Sequence, residues 1–179
     1  MKKLLIVVDY QNDFVNGSLG FSGAELLEEP ILNKIKVYEE SDHHIIYTFD
    51  THDADYLETQ EGKNLPIAHC LEKTEGHALF GKVLAHYQNK NDGKDFAIFK
   101  NTFGSVDLMK VLLDRKQYDV IELVGVVSYI CVLSNAVIAK TAQPEAQIVV
   151  DSNCIAGPDQ ALHDACLALM SKALQMKVI

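Results

Sequence analysis

A thiol, an aspartate and a lysine lie far apart in this sequence, each at the carboxyl end of an apolar run. Asp9 follows Leu4–Val8, Lys100 follows Phe96–Phe99, and Cys131 stands just past Val120–Val127. A cysteine attacks only as its thiolate, with an ordinary pKa near ~8.5, so it needs a group to take the proton and a cation to favour the anion. Asp9 suits the first role and Lys100 the second. The same carboxyl can pass the proton to a leaving amine and then activate water. The corner Gly125-Val126-Val127-Ser128-Tyr129-Ile130 leads into a helical pattern over 130–142. A helix N-terminus there would lower the thiol pKa and aim backbone N–H groups at an oxyanion. The plainer readings are a buried cysteine packed as a small hydrophobe and an Asp9–Lys100 pair that ties two strand ends together.

A second cluster begins where Asp50 closes the run Ile45–Phe49. Thr51 and His52 follow at once, with Glu61 and His69 further along. Residues two apart on extended chain point to the same side, so Asp50 and His52 can share a metal and His69 can close the set, leaving positions open. Carboxylate and neutral imidazole suit zinc, iron or manganese, and the spacing selects none of them. Solvated loop histidines are the alternative. His43, His44, His77, His86 and His163, like Cys70, Cys154 and Cys166, read as surface or packing residues. Tyr10, Phe14 and Phe103 flank the polar positions and can stack on a flat ring or serve as ordinary core.

The elements that must position these residues alternate along the chain. Strands are expected at Leu4–Val8, Ile45–Phe49, Phe96–Phe99, Val120–Val127 and Ile148–Val150, and helices at 31–40, 77–87, 106–115, 130–142 and 159–176. Continuously apolar strands between helices imply a mostly parallel, doubly wound sheet covered on both faces, an α/β three-layer α-β-α domain over 1–179. Ligands in such sheets bind at the carboxyl ends of the strands, near the point where strand order reverses, and all four polar strand ends then face one rim. The stretch 51–76 is too long for an idle loop.

The totals exclude several classes of function. A formal charge of −9 with no run of five basic residues argues against nucleic-acid and anionic-membrane partners. Four cysteines without a C-x-x-C pair suggest a reducing compartment, hence the cytoplasm. The apolar run after Lys2-Lys3 ends at Asp9, too soon for a signal sequence or a membrane span.

Five segments resemble the isochorismatase-like cysteine hydrolase superfamily, in its nicotinamidase/pyrazinamidase branch. They are Leu4 through Phe14, Phe49-Asp50-Thr51-His52, Leu65 through Cys70, Phe99 through Ser105, and Gly125 through Cys131, in family order over most of the chain. The resemblance implies an isochorismatase-like fold and a catalytic triad of Asp9, Lys100 and Cys131. It also implies a cis peptide between Val126 and Val127, with an oxyanion hole from the amides of Val127 and Cys131. Asp50, His52 and His69 match the family's metal ligands and Glu61 an additional carboxylate, for a divalent metal ion: zinc foremost, iron or manganese otherwise. Phe14 and Phe103 match ring-contacting positions. The implied activity is hydrolysis of a small amide, nicotinamide to nicotinate and ammonia, by a cytoplasmic homo-oligomer. Two departures stand out: Leu65-Pro66 replaces an aromatic residue before the last metal-binding histidine, and Ser128 replaces a threonine. A related amidase or carbamoyl amidohydrolase is the alternative, and a non-catalytic binding protein of this fold the third reading.

Overall fold

Each residue of β1 (Lys3–Val8) beyond the first is buried, and alternate side chains enter different cores. Leu5 and Val7 pack with Ile31, Ile35 and Val83 on one side; Leu4, Ile6 and Val8 pack with Leu108, Ala136 and Met170 on the other. A strand apolar at every position, buried on both faces, requires helices above and below. The computed structural model describes residues 1–89, 96–115 and 117–179. Among them the remaining strands are β2 (His44–Asp50), β3 (Phe96–Lys100), β4 (Val120–Val126), β5 (Gln147–Ala156) and β6 (Lys177–Val178). The α-helices are α1 (Asn12–Val15), α2 (Glu28–Glu40), α3 (Gln60–Asn64), α4 (Gly81–Asn89), α5 (Val106–Asp114), α6 (Leu133–Ala142) and α7 (Gln160–Lys172).

The sheet runs β3-β2-β1-β4-β5-β6, and every neighbouring pair is parallel. Strand order reverses between β1 and β4, whose carboxyl ends carry Asp9 and the corner leading to Cys131. The expected three-layer α/β architecture is therefore present, with all of these strands parallel. Register sets the rim: Val8 lies opposite Thr48 on one side and Gly125 on the other, and Asp50 lies opposite Lys100.

Element boundaries differ from the periodicity for identifiable reasons. The helix expected from His77 starts at Gly81, because the carbonyls of His77 and Ala78 accept from the Gln11 side chain and the Asn12 amide instead of later helical amides. α2 starts three residues early, with Glu28 and Glu29 in a first turn that favours negative charge and tolerates Pro30. β5 continues through polar Asp151-Ser152-Asn153, aided by a register shift against β4. α7 stops at Lys172, short of the expected 176. Gln175, at φ 56, turns the chain into β6, a strand too short for a periodic signal. The stretch 51–76 is not bare loop, since it holds a 3-10 turn at Tyr56–Glu58 and α3.

Candidate active site

Asp9 leaves β1 with φ 46, a left-handed conformation that aspartate tolerates better than most residues. Its amide donates to the Thr48 carbonyl at 3.2 Å, and the Thr48 hydroxyl donates to Oδ1 at 2.6 Å. Lys100, the last residue of β3, reaches across the rim: its Nζ lies 2.6 Å from Asp9 Oδ2, 3.4 Å from Asp50 Oδ1 and 3.7 Å from Cys131 Sγ. All three residues are buried, Asp9 fully, Cys131 and Lys100 to within 5% and 6% exposure.

The corner after β4 brings the thiol into this group. Gly125 has φ +114, and a Cβ there would lie 2.0 Å from the Val8 carbonyl oxygen, so glycine alone allows β4 to run this close to β1. The Val126–Val127 peptide is cis, the bond that the family resemblance singled out. Ser128–Val132 then forms a π-helical turn containing Cys131. The expected helix from Ile130 is thus divided, and regular α-helix begins only at Leu133. Asn135, one turn on and fully buried, donates to the carbonyls of Cys131 at 2.8 Å and Phe103 at 3.1 Å, and accepts the Ser105 amide at 3.0 Å.

Electrostatics correct one expectation. The thiol is not lowered by a helix terminus. Burial pushes the Cys131 pKa well above its usual range, the Asp9 charge adds to this, and Lys100 opposes both. Cys131 is buried inside the π turn, and desolvation there is the largest influence on its thiol. Asp9 is likewise raised above the usual aspartate value by burial, with Lys100 opposing and Asp50 adding to the rise. For Lys100, burial works downward, but Asp9, Cys131 and Asp50 together hold it above the ordinary lysine value.

The second cluster forms where two loop segments zip together beyond the sheet. His52 donates its amide to the Cys70 carbonyl at 3.0 Å, and its own carbonyl accepts the Glu72 amide at 2.9 Å. The chosen ligand atoms of Asp50, His52 and His69 lie within 4.8 Å of one another, and all three residues are buried. Asp50 Oδ2 is 3.2 Å from His52 Nε2 and 3.4 Å from His69 Nε2. Glu61 Oε1, in the first turn of Thr59-capped α3, is 3.7 and 3.9 Å from the same nitrogens. Ligands about 2.1 Å from a tetrahedral metal stand about 3.4 Å apart, so this donor set fits such an ion. His69 Nδ1 lies 2.8 Å from the Ile67 carbonyl, an arrangement that fixes the ring and leaves Nε2 toward the cluster. Burial tends to raise the Asp50 pKa, but hydrogen bonds from His52 and His69 and the Lys100 charge hold it well below the usual range.

A cavity of about 640 Å³ opens beside this cluster, lined among others by His52, Tyr56, Glu61, Leu65 and Phe103. Phe103 is half exposed there, whereas Phe14 is buried with its ring 5.5 Å from that of His69. Tyr10 is core, its hydroxyl bonded to the Ala24 carbonyl. His77 stacks on Phe99 and meets the Thr51 hydroxyl, a packing role as expected.

Several residues that hold the site were not singled out from sequence. Gln11 is fully buried and pairs with the Asp50 backbone in both directions, donating to its carbonyl at 2.9 Å and accepting its amide at 2.8 Å. Asp13 Oδ2 accepts the Cys70 amide at 2.7 Å, next to His69. Thr48 was legible as a polar residue within an apolar strand, whereas Gln11, Asp13 and Asn135 carry no periodic signal.

Comparison with known proteins gives the same picture. The isochorismatase domain family model matches residues 3–178. The isochorismatase family protein PncA of Bacillus subtilis is 30% identical, with 99% of each chain covered. The crystal structure of a pyrazinamidase/nicotinamidase from Streptococcus mutans is 29% identical and superimposes with a TM-score of 0.89, covering 99% of this chain and 100% of that one. A pyrazinamidase of Pyrococcus horikoshii, solved in complex with zinc, shares the fold at 21% identity and a TM-score of 0.82, with 100% and 99% covered. Since sequence match and superposition both run nearly end to end, and the strand order and rim are those of one continuous architecture, the chain belongs to the isochorismatase domain family.

Proposed function

We propose that this family hydrolase is a cytoplasmic amidase that cleaves a small neutral carboxamide, nicotinamide in the first place, to the carboxylic acid and ammonia. The observation that carries the reading is the position of Lys100 Nζ, within 3.7 Å of a thiol and 2.6 Å of a carboxylate, while it also touches Asp50 of an Asp-His-His cluster. Cys131, Asp9 and Lys100 are the proposed catalytic residues.

In this scheme Asp9 takes the thiol proton as sulfur attacks the carboxamide carbon. The raised Asp9 pKa makes it a stronger base than an ordinary aspartate. The amides of Val127 and Cys131 receive the oxyanion. Asp9 returns the proton to nitrogen as the C–N bond breaks and ammonia leaves. It then draws a proton from water, which opens the thioester and restores the thiol. Lys100 keeps its charge throughout and compensates whichever of Asp9 and Cys131 is anionic. Asp50, His52 and His69, with Glu61 beside them, would hold a divalent metal, zinc foremost with iron or manganese as alternatives, which when bound supplies a Lewis acid for a ring nitrogen. Phe103, half exposed in the cavity wall, and Phe14, buried against His69, are the residues proposed to contact the ring.

A related amidase or carbamoyl amidohydrolase is the second reading, favoured by aliphatic Leu65 in the cavity wall where the family has an aromatic nearby. Assembly into a homo-oligomer belongs to the proposal, supported by exposed Phe96 and Phe99 on the outermost strand β3 and checked by light scattering. The cytoplasmic assignment rests on four free cysteines.

The test is ammonia release from nicotinamide, beside a panel of aliphatic amides and N-carbamoyl acids, with Cys131→Ala as the blank. Release that vanishes in Cys131→Ala, with an unchanged thermal midpoint, is the expected result. Turnover that survives Cys131→Ala would end the proposal, and release from the N-carbamoyl acids alone would transfer it to the second reading.

A further inference from the structure

The turn that carries Cys131 is held from beneath by α7 and the chain leading to it. His163 Nδ1 lies 2.9 Å from Ser128 Oγ, and Ser128 itself is fully buried. The Cys166 thiol donates to the Ser128 carbonyl at 3.4 Å, the same carbonyl that accepts the Leu133 amide and closes the π turn. The Asp159 amide donates to the Tyr129 hydroxyl at 3.2 Å. At Gly157 an added Cβ would lie 2.5 Å from the Tyr129 ring and 2.9 Å from a Val127 methyl, so the β5–α7 connection is packed directly against the turn. Val127, Ser128 and Tyr129 are thus each fixed by a segment that supplies none of the residues proposed to do chemistry.

A π turn has poorer intrinsic geometry than an α-helical one and persists where surrounding contacts define it. Ser128 is the natural point of control, since its neighbours on either side are Val127, a proposed oxyanion donor, and the turn leading to the nucleophile. A buried hydroxyl must also keep a hydrogen-bond partner. We propose that His163, acting through Ser128, is a positioning residue for the nucleophile turn: it sets the placement of Cys131 and the Val127 amide without touching the substrate. This rests on the assignment of Cys131 as nucleophile.

The experiment compares His163→Leu, His163→Asn, Ser128→Ala and the Ser128→Ala/His163→Leu double variant. Each is confirmed folded by circular dichroism, and both ammonia release and the rate of iodoacetamide alkylation at Cys131 are measured. A misplacement of a fraction of an ångström predicts that His163→Leu lowers kcat roughly tenfold while KM stays within about twofold. Cys131, now less tightly enclosed, should alkylate faster. Asparagine can present a nitrogen near the Nδ1 position, so His163→Asn should restore most of both properties. Ser128→Ala should match His163→Leu, and the double variant should lose no more than either alone. Unchanged kcat and alkylation in folded His163→Leu would overturn the proposal, as would additive losses in the double variant or failure of asparagine to rescue. If wild type releases no ammonia from any amide, the amidase reading fails separately. The alkylation cycle then decides the positioning role: equal changes in the two single and the double variants sustain it, and independent changes refute it.

Discussion

Lys100 places one ammonium between two buried carboxylates and a thiol, and its removal would leave Asp9 and Asp50 without that counter-charge. Breaking a buried pair from one side costs about 3–5 kcal/mol, because the remaining charge stays out of water. Lys100→Met is therefore expected to lose stability of that order in urea unfolding, along with all amidase activity. The sign with pH follows from the raised Lys100 pKa. The contribution of the ammonium is complete below the ordinary lysine value of 10.5 and disappears only as pH rises through the higher folded value. The gap between wild type and Lys100→Met should hold from neutral pH to about pH 10 and narrow above it. A gap that closes between neutral pH and about pH 10, or a variant as stable as wild type at neutral pH, would contradict this account. Asp9, Lys100 and Cys131 were legible because a charge or thiol at the end of an apolar run is conspicuous. The raised thiol was not, because desolvation depends on what packs above the sheet.

At the scale of elements, the segment after β1 does more than deliver Asp9. Gln11 brackets the backbone of Asp50, and its amide also donates to the His77 carbonyl at 2.7 Å, while Asp13 holds the amide next to His69. One short stretch thereby sets both arms of the proposed metal site relative to the proposed catalytic residues. Outer groups that orient ligands commonly account for about 10–100-fold in metal affinity, and Gln11→Ala is expected to weaken zinc binding by that range, read by competition with a chromogenic chelator. Affinity equal to wild type would show that Asp50 is set by β2 alone. β1, β2, β4 and the start of β5 could be read from sequence because their apolar runs are buried on both faces, and edge strand β3 because its run is apolar even where Phe96 and Phe99 are exposed. Helix starts such as Gly81 could not, because they are decided by where distant side chains claim backbone carbonyls. β6 escaped notice for a simpler reason: two residues carry no period.

Across the molecule, the net charge of −9 continues into the mouth of the site. Among the described residues, the cavity wall includes Asp53, Asp55 and Glu61 and no lysine or arginine. With a divalent metal held by Asp50, His52 and His69, the carboxylates of Asp9, Asp50, Asp53, Asp55 and Glu61 still outnumber the positive charge of that ion and Lys100 together. Such a field leaves a neutral amide indifferent and opposes an anionic one, and an N-carbamoyl acid is anionic at neutral pH. Exposed charges are screened over about 10 Å at 0.1 M salt and about 3 Å at 1 M, so ionic strength separates the two cases. For nicotinamide, kcat/KM should stay nearly constant as salt rises. For an N-carbamoyl acid it should be low at low salt and climb with screening, and Asp53→Asn/Asp55→Asn should reproduce part of that rise without added salt. A preference for the anionic amide at low salt would mean that the metal and Lys100 dominate the entrance. It would also move the carbamoyl amidohydrolase reading to first place, because the charge of the entrance would then join Leu65 of the cavity wall in favouring it.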